Sequence, residues 1–144
     1  MTKTAEKELS SRECAIIAAR AADEKKATDI MIQEVRELVS VTDYFVIATA
    51  ANSRQVDAIT EEIEEQCRVQ GGVKPLHREG EGSVWCLLDY GNFVVHVFQT
   101  EARDYYRLEQ LWNDAPVLDL AEEAGLTDVQ YSDLIAKLLG KEEG

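Results

Sequence analysis

Apolar residues return every three or four positions at Cys14, Ile17, Ala18 and Ala21, which predicts an amphipathic helix over 11–24. Ser10 and Glu13 in front of it form a capping box, with Leu9 and Cys14 placed to staple the first turn. The pattern then changes period. "ATDIMIQEV" (27–35) and the more apolar "TDYFVIATA" (42–50) read as strands, the second long enough to be central in a sheet. Asn52 and Ser53 offer a cap, with Gln55 three residues after Asn52, for a helix over 53–69. Its stripe is Val56, Ile59, Ile63 and Cys67, and Gly71-Gly72 ends it. "VKPLHRE" (73–79) predicts an edge strand, since Pro75 has no N–H for a central ladder. Gly80–Gly82 reads as a loop.

"SVWCLLDYGNFVVHVF" (83–98) reads as two strands joined at Gly91-Asn92. A two-residue turn beginning with glycine fixes the register, pairing Tyr90 with Phe93, Leu88 with Val95 and Trp85 with Phe98. Side chains alternate across a sheet, so Val84, Cys86, Leu88, Tyr90, Phe93, Val95 and Val97 share one face, the core. The other face carries Trp85, Leu87 and Asp89 opposite Phe98, His96 and Val94. An aromatic centre with a few polar groups at its margin suits a partner. A covering helix, or a second copy of the chain, accounts for the same residues. Thr100 then caps a helix with the stripe Tyr105, Leu108, Leu111 and Trp112, stopped by Pro116. Beyond it, Thr127 and Gln130 form a capping pair before Leu134, Ile135, Leu138 and Leu139.

This order of elements predicts an α/β fold: a mixed five-stranded sheet with flanking helices, parallel around the 53–69 crossover and antiparallel at the hairpin. The 144 residues fit one domain over 1–119 followed by an acidic, partly helical tail over 120–144. Fifteen basic against 28 acidic residues give a net charge of −13, which argues against a grip on nucleic-acid phosphates. It suits a chain that stays soluble or is drawn to basic protein surfaces. Cys14, Cys67 and Cys86 are widely spaced and odd in number, so buried thiols in a reducing compartment are expected. The first residues mix both charges without an apolar stretch, and no run is long enough for a membrane span, so a cytoplasmic location is expected.

Catalysis finds little support. His96 lies among aliphatic neighbours, His77 stands in a polar stretch, and Cys86 is expected to point into the core, away from a thiolate-forming setting. No metal-ligand spacing is present, so neither metal nor cofactor is expected. "ANSR" (51–54) could offer helix N-terminal amides to an anion, as a nucleotidyltransferase would. Such an enzyme also needs paired metal-binding carboxylates, and the chain has no Asp-x-Asp or Asp-x-Glu.

"KATDI" (26–30), "TDYFVIATAANSRQVDAI" (42–59), "WCLLDYGNFVVHVF" (85–98) and "YYRLEQLW" (105–112) together resemble the ribosomal silencing factor family, also called Iojap-like. The resemblance spans roughly 9–119. It implies a fold related to nucleotidyltransferases without their catalytic carboxylates. It also implies a translational repressor that docks on large-subunit protein fourteen, blocks joining of the small subunit, and pairs as a homodimer when free. Two departures stand out: Ala50-Ala51 where the family has glycine in the turn, and Asn92 where it has aspartate. The other function classes left open are a nucleotide-binding or nucleotidyltransferase-like enzyme and a homodimeric scaffold. On this reading the docking face comprises Trp85, Leu87, Asp89, His96 and Phe98, with Arg103, Tyr106, Leu108, Glu109 and Trp112 from the following helix. Trp85 and Phe98 are its expected anchors. Asp89 and Glu109 are expected to meet basic side chains of the partner.

Overall fold

A computed structural model describes residues 9–80 and 84–140. The loop expected over Gly80–Gly82 therefore lies mostly outside the described residues, as do the first eight residues and the last four. Helix α1 spans Ser11–Glu24, and its Ser10–Glu13 capping box is formed in both directions. Strands β1 (Thr28–Glu34) and β2 (Tyr44–Ala50) precede α2 (Ser53–Gly71). Asn52 caps α2 by accepting from the Gln55 N–H at 2.8 Å, and Gly72, at φ 67°, closes it in the left-handed conformation that glycine adopts without strain. Then come β3 (His77–Glu79), β4 (Trp85–Asp89) and β5 (Phe93–Gln99).

The five strands form one sheet in the order β1-β2-β5-β4-β3. Its single parallel pair joins β2 to β5, and the other pairs are antiparallel. The hairpin register is the expected one, from Trp85 opposite Phe98 to Asp89 opposite Val94. Gly91 turns at φ 91°, where a Cβ would strain the backbone.

One sheet face packs against α1 and α2. Ile30, Ile32, Tyr44, Val46, Cys86, Leu88, Phe93, Val95 and Val97 meet Ile17, Val56, Ile59, Ile63 and Cys67 in the larger core. Burial on this scale drives folding, at about 2–3 kcal/mol per large side chain. All three thiols are buried here and unbridged, and burial pushes the Cys67 thiol up to about 12.

The C-terminal third departs from expectation. Instead of one helix from Thr100 to Pro116, there are two short ones, α3 (Thr100–Tyr106) and α4 (Leu108–Leu111), broken at Arg107 with φ 49°. Gln99, not Thr100, is the residue before α3, and no side chain caps it. The expected stripe is split: Tyr105 is 80% exposed and Leu111 68%, while Leu108 and Trp112 stay half-buried. Beyond it, α5 (Leu120–Ala124) is capped by Asp119 and α6 (Asp133–Leu138) by Ser132, in place of the Thr127–Gln130 pair. Packing runs on through residue 119, with Leu118, Leu120 and Ala124 all in the larger core. The segment from Pro116 to Leu139 is a strap around β1. Leu118 N–H donates to the Ile32 carbonyl at 3.0 Å, Val117 bridges Gln33, and Arg12 pairs with Glu123 at 2.7 Å.

Candidate docking face

The second sheet face carries Met31 and Gln33 from β1, Phe45, Ile47 and Thr49 from β2, Val94, His96 and Phe98 from β5, and Trp85, Leu87 and Asp89 from β4. It is half covered. Met31, Ile47 and Phe98 form a second core with Ala102 and Ile135, flanked by Phe45, Trp85, Leu108, Tyr131, Leu138 and Leu139. Toward β4 and β3 the cover thins, and Trp85, Leu87, Asp89 and Val94 are only half-buried.

The expected site residues thus separate. Trp85, Leu87, Asp89, Leu108 and Trp112 are half-buried and Tyr106 is 51% exposed, so these six reach the surface. The other four do not. Phe98 is 0% exposed, enclosed by Trp85 (ring centroids 4.7 Å), Tyr106 and the second core, so it supports an anchor and is not one. His96 is buried beneath Trp85, whose Nε1–H donates to His96 Nδ1 at 3.2 Å. Arg103 and Glu109 are 2% and 1% exposed and bind each other, Arg103 Nε donating to Glu109 Oε1 at 3.0 Å. Glu109 was expected to meet a partner's cation, and its cation is internal. A buried carboxylate needs such a partner, since an unpaired charge at that depth is strongly unfavourable.

Three surface residues escaped the sequence reading: Tyr105, Leu111 and Val84, the last 52% exposed. Tyr105 and Leu111 looked like core because helical spacing was extended across Arg107. Val84 lies one residue before β4, where the alternation no longer holds. A hollow of about 190 Å³ lined by Glu79, Gly80, Trp85 and Leu87 opens beside the patch. Carboxylates edge it: Asp89, which also accepts from the Gly91 N–H at 2.8 Å, and Glu79, which pairs with His77 at 2.6 Å.

His96 gives this face a pH dependence. Because Nδ1 accepts from Trp85, the neutral ring carries its proton on Nε2, which is buried and has no hydrogen-bond partner among the described residues. Burial, reinforced by the charge of Arg103, holds the imidazole down at about 3. An unfolded histidine titrates near ~6.5. Between these values the unfolded chain binds more protons, so this group's contribution to stability falls as pH drops below ~6.5, by up to about 1.4 kcal/mol per unit. Urea midpoints should therefore fall from pH 7 to pH 5 more steeply in the wild type than in His96→Gln. Parallel slopes would show that His96 is not held neutral.

The chemistry on offer elsewhere is slight. Among the described residues no group of three or more His, Cys, Asp or Glu could hold a metal ion. At the 51–54 turn, Gln55 Oε1 accepts from the Ala51 N–H at 2.6 Å and Asn52 caps Gln55, so side chains already occupy amides that an anion would use. No helix among the described residues is long and apolar enough to cross a membrane.

Comparison with known proteins places this architecture. The model of the family described as "Ribosomal silencing factor during starvation" matches residues 8–135. The chain belongs to this family. Ribosomal silencing factor RsfS of Bacillus subtilis (strain 168) is 43% identical over 105 residues, covering 72% of this chain and 88% of that protein. A crystal structure of a Chromobacterium violaceum protein superposes with a TM-score of 0.68 at 32% identity, covering 72% of this chain and 87% of the other. "Mitochondrial assembly of ribosomal large subunit protein 1" of Mus musculus is 30% identical over 94 residues, covering 62% of this chain and 40% of that protein. The family match extends past residue 119 into the strap.

Proposed function

We propose that the chain is a translational repressor without catalytic activity, acting in the cytoplasm. It docks on the large ribosomal subunit, through protein fourteen of that subunit, and by standing there keeps the small subunit from joining. The observation that carries this reading is an aromatic patch left uncovered on an acidic family member: Trp85 and Leu87 are half-buried, exposed Tyr106 lies 4.8 Å from Trp85 between ring centroids, and exposed Tyr105 lies 5.0 Å from Tyr106. An apolar centre rimmed by Asp89 and Glu79 suits a basic protein surface. A chain of net charge −13 is repelled by ribosomal RNA, which favours a protein contact. The names of the Bacillus and mouse relatives, with their reference to ribosomal silencing and to the large subunit, agree with that choice. Steric exclusion then needs no reaction.

Trp85 would be the main anchor, with Leu87, Tyr106, Leu108 and Trp112 around it. Truncating such a residue typically weakens binding by about 2 kcal/mol or more. Sedimentation of isolated large subunits with the full chain tests this. Wild type should co-sediment and reduce joined ribosomes, whereas Trp85→Glu, still folded by circular dichroism, should do neither. Retained co-sedimentation of Trp85→Glu would refute the docking face. The same gradients report the free protein's mass, where a homodimer is expected.

A further inference from the structure

The strap and the buried pair beneath the docking face meet at one residue. Asp29 stands at φ 49°, beside the irregularity in β1–β2 register between Thr28 and Met31. A non-glycine residue in this region is strained, by roughly 1–3 kcal/mol, and stays there only where its surroundings over-determine it. They do so here. The Asp29 N–H donates to the Gln130 carbonyl at 2.8 Å, and its Oδ1 accepts from the Ser132 N–H at 2.7 Å. Its carbonyl, turned inward by the kink, accepts from Arg103 Nη1 at 2.8 Å.

From Arg103 the bonded path continues to the docking face. Arg103 Nε donates to Glu109, and Gln33 Nε2 donates to the Glu109 and Trp112 carbonyls at 2.9 and 3.2 Å. These bonds matter because α4 is four residues long and has no side-chain cap. So short a helix has no stability of its own, and its position is set by what holds it from below. Leu108 and Trp112, at its two ends, are positioned by the same bonds. The strap, for its part, has room to shift. Between its bonded points a hollow of about 160 Å³ lies against β1, lined by Ile30, Met31, Val117, Leu120, Tyr131 and Leu139.

We propose that Asp29 is a positioning residue that couples the strap at 130–132 to α4, so that loosening the strap weakens docking of the large subunit at the patch. The coupling rests on the docking reading above. Through Arg103 and Glu109, the strap's hold on Asp29 sets how firmly Leu108 and Trp112 are presented. Linkage makes the effect reciprocal, so docking must also steady the strap.

The test uses the full chain with two substitutions. Asp29→Gly keeps the left-handed backbone without strain, and with it the N–H and carbonyl bonds, and deletes the carboxylate that links to Ser132 and lends its charge to Arg103. Asp29→Asn retains an oxygen to accept from Ser132. Amide hydrogen exchange at 107–113 should quicken about fivefold in Asp29→Gly, with α2 unchanged, and binding to isolated large subunits should weaken by a similar factor. Asp29→Asn, which loses the charge near Arg103 but keeps the Ser132 bond, should stay nearer wild type than Asp29→Gly in both, and bound large subunits should slow exchange at 130–133 of the wild type. Unchanged exchange at 107–113 in Asp29→Gly, equal acceleration in α2, or an Asp29→Asn chain that behaves like Asp29→Gly would each overturn the coupling. Trp85→Glu run alongside separates the two ideas. If it still binds, the docking reading falls and exchange alone judges the coupling. If it loses binding while Asp29→Gly binds like wild type, only the coupling falls.

Discussion

Glu109→Ala should destabilise the chain by about 3–5 kcal/mol, the loss typical when one member of a buried ion pair is removed. The size follows from what is left behind. Arg103 is 2% exposed, and without Glu109 its guanidinium bonds only neutral acceptors, the Asp29 carbonyl and Thr49 Oγ1 at 2.7 Å, with the Asp29 carboxylate as the nearby negative charge that remains. Burial already pulls this guanidinium down from its usual range, with Glu109 the chief opposing influence. Against a total stability of ~5–15 kcal/mol for a domain, one substitution would bring the chain close to unfolding. Urea denaturation at neutral pH measures the loss. Arg103→Met combined with Glu109→Leu should recover part of it, since an apolar pair removes the stranded charge while the Asp29 carbonyl and Thr49 hydroxyl lose their donor. A loss below about 1 kcal/mol for Glu109→Ala would mean that water reaches Arg103 and that the pair is not sealed.

Phe98→Ala should cost about 3–5 kcal/mol, the range for truncating a buried aromatic side chain. Phe98 is fully buried between Trp85, at 4.7 Å between ring centroids, and the second core. Its removal leaves a void that strand backbones on either side cannot close. Phe98→Leu keeps most of the volume and should cost less than about 1.5 kcal/mol. Equal midpoints for the two variants would place Phe98 at a yielding edge of the core instead of its centre. The alanine variant should also disturb docking without touching the partner, because Trp85 would lose the ring it rests on.

The hairpin was the most legible part of the sequence. Gly91-Asn92 fixes a turn, the turn fixes the register, and the register sorts every side chain from Trp85 to Phe98 onto one of two faces. What covers a face is a different matter. Alternation shows that Phe98 and Trp85 share one, but the residues that enclose Phe98 include Ile135, far along the chain, and Ala102 on a helix whose direction the pattern misjudged. No glycine, proline or asparagine announces the break at Arg107. The turn there brings Glu109 onto Arg103, a tertiary gain that outweighs local helix preference. The same turn sends Tyr105 and Leu111 outward and Glu109 inward, so one unforeseen backbone angle accounts for several misplaced side chains. The strap was hidden for a related reason. Its acidic composition suggested a partly helical tail set apart from the domain, while Leu118, Leu120, Ala124 and Ile135, which seat it, are spread thinly among polar residues.

A sheet that leaves part of a face bare invites copies of itself to join along its borders. Here neither border is open to strand addition. Beside β1 the chain's own residues 116–118 occupy the ladder, and the opposite border, β3, is three residues long, follows Pro75 and bears three charged or ionisable side chains. Growth into fibrils is thereby discouraged, and an adhesive aromatic surface becomes tolerable in a chain kept at working concentration.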